Sequence, residues 1–394
     1  MSTSECQVFT SDNDLKVYDT FDEMGLPDKL LRGIYSYGFQ TPSDIQKKAI
    51  KPIAEGNDIL AQAQSGTGKT GTYLIGSLSR MDPTLKKVQV LVLAPVRELA
   101  EQIYSVAKEL SQHLGITLHS ATGGPPIRED IRAIEKGCQF LIGTPGRIYD
   151  LMHRNILSTQ HIRNLIMDEA DQMLENRFKD QVMSILQKGF PDETRIALLS
   201  ATLSDDVREV ANTLLRNPVR ILVQPSDVPL DGITQYYVLL PSDDWKFDTL
   251  CDLYQNLTIS QALVYCNTRK RAEWLAEKMT TNGFPLSCTH GEMDAEERKR
   301  RMKDFRNGVV RVLISTDMLA RGIDVQQVSL VINYELPTEK ENYIHRIGRA
   351  GRFGKKGITI NLISNEESKV RSEIEEHFKI TMRELPQNIS SLSS

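Results

Sequence analysis

Three features of the chain predict a parallel α/β architecture. Short apolar runs rich in β-branched residues alternate with longer amphipathic segments along its length. A glycine-rich loop, Ala63-Gln64-Ser65-Gly66-Thr67-Gly68-Lys69-Thr70, separates the strand-like Asp58-Ile59-Leu60-Ala61 from a helix-like stretch. Roughly a hundred residues further on, the acidic cluster Asp168-Glu169-Ala170-Asp171 closes an apolar run.

Strands are expected at residues 58–63, 88–94, 117–120, 139–142, 164–167 and 195–199 in the first half. In the second half they are expected at 262–266, 286–289, 309–315, 328–334 and 358–363. Between the halves, residues 224–235 carry two prolines, a glycine and little hydrophobicity, which predicts a linker. The organisation read from these signals is a flexible segment at 1–19, one domain at 20–223, the linker, and a second domain at 236–394. Only the first half has a phosphate-type loop.

Composition narrows the function classes. With 394 residues, 40% hydrophobic and 25% charged, the chain has room for two domains, each with its own core. A net charge of −4 rules out nucleic-acid binding by bulk charge, so any such site must use locally placed cations. The five cysteines are scattered without a C-x-x-C pair, which argues against a zinc site or a disulfide framework and for a reducing compartment. No apolar run is long enough to span a bilayer, and the polar start is no secretory signal.

The loop and the acidic cluster together supply the parts for nucleoside-triphosphate hydrolysis. Backbone N–H groups of Ser65, Gly66, Thr67 and Gly68 suit phosphate oxygens, Lys69 reaches the terminal phosphates, and the Thr70 hydroxyl is a Mg²⁺ ligand. Asp168 at a strand end suits the same ion through its water shell, and Glu169 can take a proton from the attacking water. Ala63 stands where the general loop pattern has its first glycine.

Further motifs follow in a fixed order. They are Gly38-Phe39-Gln40-Thr41-Pro42-Ser43-Asp44-Ile45-Gln46, Pro95-Val96-Arg97-Glu98-Leu99-Ala100, Gly123-Gly124, Thr144-Pro145-Gly146-Arg147 and Ser200-Ala201-Thr202. The second half adds Ala320-Arg321-Gly322-Ile323-Asp324 and His345-Arg346-Ile347-Gly348-Arg349-Ala350-Gly351-Arg352. From about Phe21 to Pro386 this order resembles the DEAD-box RNA helicases, and within them the translation initiation factor 4A group with its exon-junction and ribosome-biogenesis relatives.

The resemblance implies two RecA-like parallel-sheet domains in tandem, joined by a short linker, with ATP and Mg²⁺ as cofactors. It implies adenine contacts from Phe21, Phe39 and Gln46, a ribose contact from Asp324, and arginine fingers at Arg349 and Arg352. As the bland alternatives, Phe21 fits a ring that staples the next helix to the core, and Arg346 fits a structural salt bridge. Ser200, Thr202 and His345 are implied as couplers between the domains. RNA contacts are implied at Arg97, Gly123, Gly124, Thr144 and Arg147, and at Thr268, Arg269 and Thr316 in the second domain. Such contacts meet phosphates and sugars rather than bases. The run Arg298-Lys299-Arg300-Arg301-Met302-Lys303 reads as an exposed helix face.

Two positions depart from the family pattern, Val96 for the usual threonine and Ala295 for a frequent glutamine. The function implied is an ATP-dependent helicase that separates short RNA duplexes by domain closure, in translation initiation. An ATP-gated RNA clamp or a pre-ribosomal RNA helicase is the alternative. A helical-repeat scaffold of the initiation-factor 4G type is the implied partner, with a monomeric, cytoplasmic protein, or a nuclear one under the alternative.

Overall fold

The computed structural model describes residues 15–63, 67–174, 178–222, 233–257, 261–317, 328–350 and 357–386, apart from the side chains at 295 and 341. The expected contacts at Ser65, Gly66, Asp324 and Arg352 lie outside the described residues, as does most of the expected linker. The chain divides into two compact units, Met1–Val223 and Gln224–Ser394.

The first unit is built on the strands β1 (Ile59–Gln62), β2 (Val90–Leu93), β3 (Leu118–Ala121), β4 (Phe140–Gly143), β5 (Asn164–Asp168), β6 (Arg195–Ser200) and β7 (Val219–Leu222). Among the described residues they form one parallel sheet in the order β3-β4-β2-β5-β6-β1-β7. The central strands β2, β4 and β5 are buried at every position, which explains why their sequences run apolar without alternation.

Helices cover both faces, and two clusters of buried side chains result, one containing Ile59, Val90 and Ile166, the other Leu60, Leu91 and Leu165. Neighbouring residues of one strand thus feed opposite cores, as the two-residue period of a strand requires.

The second unit repeats the plan with β8 (Ile233–Leu240), β9 (Ala262–Tyr265), β10 (Ser287–Thr289), β11 (Val312–Ser315), β12 (Leu330–Asn333), β13 (Gly357–Ser364) and β14 (Arg383–Glu384). Its parallel order is β10-β11-β9-β12-β13-β8-β14. Tandem seven-stranded parallel sheets with flanking helices are the RecA-like arrangement that the motif order implied.

Three strands were not anticipated. β7 and β8 flank the proline-containing stretch, and residues 233–235, read as the end of the linker, belong to β8. β14 is two charged residues long and carries no apolar signal.

Register decides what meets at the carboxyl edge of the first sheet. Gln62 of β1 pairs with Ser200 of β6, and Leu199 of β6 pairs with Asp168 of β5. The phosphate-type loop, the acidic cluster and the Ser200-Ala201-Thr202 segment therefore leave three adjacent strands side by side. On the other half of the same edge, Leu93 pairs with Gly143 and Gly143 with Ala121, which aligns the segments carrying Arg97, Thr144 and Gly123-Gly124.

Close helix packing limits side-chain size at Gly33, in the helix Asp28–Tyr37 against the helix Arg97–Leu110. A Cβ there would lie 2.0 Å from the carbonyl oxygen of Leu110. Overpacking of this kind costs about 1–3 kcal/mol. Gly33→Ala is expected to lower the unfolding free energy by that amount, read as a lower denaturant midpoint at an unchanged slope, and an unchanged midpoint would show that the two helices shift freely.

Candidate nucleotide and RNA site

Lys69 opens the helix Lys69–Leu78, and the residue before it, Gly68, has φ of 100°. Only glycine takes that left-handed conformation cheaply, and it turns the chain from β1 into the helix. Space is also short: a Cβ at Gly68 would sit 3.0 Å from Gln46 Nε2, and one at Gly71 2.7 Å from it.

Gln46 is buried in the first turn of the helix Asp44–Glu55. Its Oε1 accepts from the Ser43 backbone N–H at 2.9 Å, and its Nε2 donates to the Gly68 carbonyl at 3.4 Å. The expected adenine-reading amide thus lies against the phosphate-type loop, with its orientation set by the Ser43 N–H on one side and the Gly68 carbonyl on the other. Phe21 is fully buried, stacked on Phe39 at 6.3 Å between ring centroids and edge-on to Tyr35 at the same separation. Its ring belongs to the core that holds the helix Asp28–Tyr37.

Opposite the loop, Lys69 Nζ lies 3.3 Å from Glu169 Oε1, and both side chains are buried. Glu169 has φ of 53°, a left-handed conformation costly for a residue with a side chain. This turn joins β5 to the short helix Ala170–Leu174 and faces Glu169 toward the loop. Glu169 Oε2 is buried and, among the described residues, accepts no hydrogen bond. Asp168 Oδ1 accepts from the Glu169 backbone N–H at 3.0 Å, while Oδ2 accepts from the Tyr73 hydroxyl at 2.8 Å.

Burial pushes the Asp168 carboxyl up from 3.8 to about 6, Lys69 pulls it down, and Glu169 pushes it up further. Burial likewise raises the Tyr73 phenol well above its usual range, with Asp168 adding to the effect. Sequence reasoning did not single out Tyr73. It is one turn beyond Lys69 on the same helix, a spacing that places both side chains on one face.

Asp171 ties the acidic cluster to the next strand. Its Oδ2 accepts from the Thr202 hydroxyl at 2.6 Å and from the Thr202 N–H at 3.3 Å, and its own N–H donates to Ser200 Oγ at 3.3 Å. Ala63 N–H donates to the Ser200 carbonyl at 2.9 Å, so the same segment also contacts the start of the phosphate-type loop.

At the other half of this edge, Arg97 bonds Glu101 at 2.7 Å, and a Cβ on Gly124 would come within 2.7 Å of its guanidinium. Gly123 faces open space. Thr144 is the cap residue of the helix Pro145–His153 without a side-chain hydrogen bond to it, and Arg147 pairs with Asp130 while donating to the Pro125 carbonyl at 2.7 Å. Val96 is the cap residue of the helix Arg97–Leu110 and offers it no side-chain hydrogen bond.

In the second unit, Thr268 caps the helix Arg269–Thr281 by accepting from the Arg271 N–H at 3.2 Å. Arg269 pairs with Glu273 at 3.0 Å and with Glu292. Thr316 follows β11, and its carbonyl accepts from the Ser315 hydroxyl at 3.0 Å. Arg346 is fully buried and holds three strand ends together. It bonds Asp317 after β11, Asn267 Oδ1 at 2.7 Å after β9, and the Glu335 carbonyl at 2.7 Å after β12. A structural ion pair is therefore its place in the fold. His345 lies beside it in the helix Lys340–Ile347, and Arg349 follows that helix. In the cationic run, expected as one exposed face, Arg300 is exposed and shares Glu297 with the half-buried Arg301. Arg298 and Met302 are buried, and Arg298 donates to the Gly291 carbonyl at 3.2 Å, so only part of the run faces outward.

A parallel sheet with a lysine-bearing loop and a paired acidic cluster at its carboxyl edge defines a nucleoside-triphosphatase unit. Residues 43–210 match the DEAD/DEAH box helicase family, and residues 245–354 match the helicase conserved C-terminal domain. The chain belongs to the DEAD-box helicases, and it is an enzyme of the ATP-dependent RNA helicase class.

It is 49% identical to the ATP-dependent RNA helicase eIF4A of Aspergillus oryzae over 96% of this chain and 89% of that one. Identity to the eukaryotic initiation factor 4A of Drosophila melanogaster is also 49%, over 96% of this chain and 93% of that one. Among solved structures it is similar to Saccharomyces cerevisiae Dbp5 bound to RNA and ADP BeF3, at 37% identity and a TM-score of 0.87, covering 94% and 97% of the two chains.

The buried Asp168 carries a pH dependence. Its carboxyl is raised on folding, so between about pH 4 and pH 6 the folded protein keeps a proton that the unfolded chain has released. Stability of the nucleotide-free protein is therefore expected to fall as pH rises through that window, by on the order of 2–3 kcal/mol. Asp168→Asn should flatten this part of the curve, and an identical pH profile in the variant would assign the effect to another group.

Proposed function

We propose that this helicase acts in translation initiation, in the cytoplasm, unwinding the 5′ region of messenger RNA. The observation that carries this reading is the 49% identity to initiation factor 4A proteins across 96% of the chain. Among the described residues no helix is long and apolar enough to cross a membrane. A scaffold of the initiation-factor 4G type, binding a monomeric helicase, is the partner this reading implies.

ATP binds at the loop preceding the helix Lys69–Leu78, where the phosphates take Lys69 over from Glu169. The residues also fit Mg²⁺: Asp168 and Thr70 would hold it, and the buried, unpartnered Oε2 of Glu169 is an acceptor that a bound water would satisfy. When bound, the ion screens phosphate charge. Glu169 is the base toward the attacking water, and its left-handed turn holds it in place before substrate arrives. Gln46 and Phe39 face the adenine, with Phe21 behind them.

Arg349 and Arg352 serve as fingers from the second unit, and Asp324 holds the ribose. Ser200, Thr202 and His345 pass the state of the acidic cluster between units. RNA meets Arg97, Gly123, Gly124, Thr144 and Arg147 of the first unit and Thr268, Arg269 and Thr316 of the second. Backbone contacts of this type carry no base sequence. ATP and RNA each favour the closed arrangement, and by linkage each tightens the other by the same factor. Closure separates a short duplex, and hydrolysis reopens the protein.

A slow, ATP-gated RNA clamp is the second reading, and Val96 is the observation that favours it. A cap hydroxyl is worth about 1 kcal/mol to a helix start, and the helix Arg97–Leu110 has none. The coupling of RNA binding to turnover is correspondingly weaker in this reading, as a slow clamp requires.

The deciding measurement is steady-state ATPase with and without single-stranded RNA, with DNA as control. Helicase function predicts strong stimulation by RNA alone, whereas ATP-dependent RNA binding with negligible turnover selects the clamp. Glu169→Gln should bind ATP but lose turnover by at least about a hundredfold, and wild-type turnover in that variant would remove Glu169 as the base. Arg349→Ala is expected to abolish RNA stimulation while the first unit still binds ATP. Retained stimulation would move the finger role to Arg352.

A further inference from the structure

In each unit, an arginine proposed to meet RNA shares a carboxylate with a histidine. In the first unit the carboxylate is Asp130, on the helix Ile127–Glu135. Its Oδ2 pairs with Arg147 Nη1, and its Oδ1 lies 2.7 Å from His119 Nε2. Arg147 Nη2 donates to the Pro125 carbonyl at 2.7 Å. Three elements thus converge on one carboxyl group: β3 with His119, the helix with Asp130, and the helix Pro145–His153 with Arg147. The Asp130 side chain is 4% exposed and that of Arg147 12%.

A free arginine side chain loses about 2 kcal/mol of rotamer entropy when it is fixed. Here that cost is met by the fold, before RNA binds. The guanidinium has five N–H donors, and Asp130 and Pro125 engage two of its nitrogens, so further donors remain for a phosphate. His119 occupies the other carboxylate oxygen and keeps Asp130 from rotating away.

We propose that Asp130 is the positioning residue that holds Arg147 for the RNA backbone, with His119 as its second anchor. This rests on the reading that Arg147 meets RNA. The second unit supplies a natural comparison. Arg269 shares Glu273 with His290, whose Nε2 is 3.0 Å from the carboxylate, but Arg269 and Glu273 are 46% and 45% exposed. An exposed pair is worth about 0–1 kcal/mol and holds its arginine weakly.

The test is RNA-stimulated ATPase of the full chain, titrated with oligouridine at saturating ATP. Asp130→Asn should raise the half-saturating RNA concentration about five- to tenfold, with turnover at saturating RNA changed less than about twofold. Asp130→Glu should recover part of that loss, and His119→Gln should show a smaller rise of the same kind. Glu273→Gln should change it by less than about threefold.

Arg147→Ala should raise it at least as much as Asp130→Asn, and the double variant should be no worse than Arg147→Ala alone. Additive effects in that cycle, or a normal RNA response in Asp130→Asn beside a weakened one in Arg147→Ala, would overturn the positioning role. A normal response in Arg147→Ala would instead overturn the RNA reading of that arginine, and the proposal with it. Should Asp130→Asn melt early, Asp130→Glu and His119→Gln carry the same comparison.

Discussion

The in-register parallel pairing of β5, β6 and β1 is the constraint on which the site depends. Parallel strands end together, so whatever follows them in sequence emerges along one line. Gln62, Ser200 and Asp168 terminate these strands, and the residues just beyond them are separated by long stretches of chain. A one-residue slip in any pairing would turn the acidic cluster away from Lys69. The fully buried central strands oppose such a slip, because it would exchange the residues feeding the two cores.

That edge concentrates charge under apolar cover. Lys69 and Glu169 neutralise each other there, while Asp168 is held by a phenol and a backbone N–H. Burying these charges is costly, and their mutual pairing and hydrogen bonds offset part of that cost. The strained backbone at Glu169 belongs to the same economy of position. Through Thr202 and Ser200, Asp171 extends the hydrogen-bonded chain to the neighbouring strand. The site is consequently one connected network rather than a set of separate residues.

Buried guanidinium groups play two different parts in the two sheets. Arg346 spends its donors on Asp317, Asn267 and Glu335 and so locks the carboxyl ends of three adjacent strands. Arg147 keeps donors in reserve while being held by Asp130 and Pro125. The two arginines differ in how many donors the fold occupies, a difference that residue type alone does not show.

By itself, the amino-acid sequence determined the architecture and the chemical class. Apolar runs mark buried parallel strands, and a glycine-lysine turn or an acidic strand end is local in sequence, so both can be read without knowing the fold. Strands at the margins escaped that reading: β14 is Arg383-Glu384, and β8 begins directly after a stretch rich in proline, where burial pattern is weak. Only the tertiary structure decided which side chains are partners. Tyr73 with Asp168, Asp171 with Thr202, and Asp130 with both Arg147 and His119 join residues far apart in the chain. Strand register and helix packing create those contacts, and neither is a property of any local run of residues.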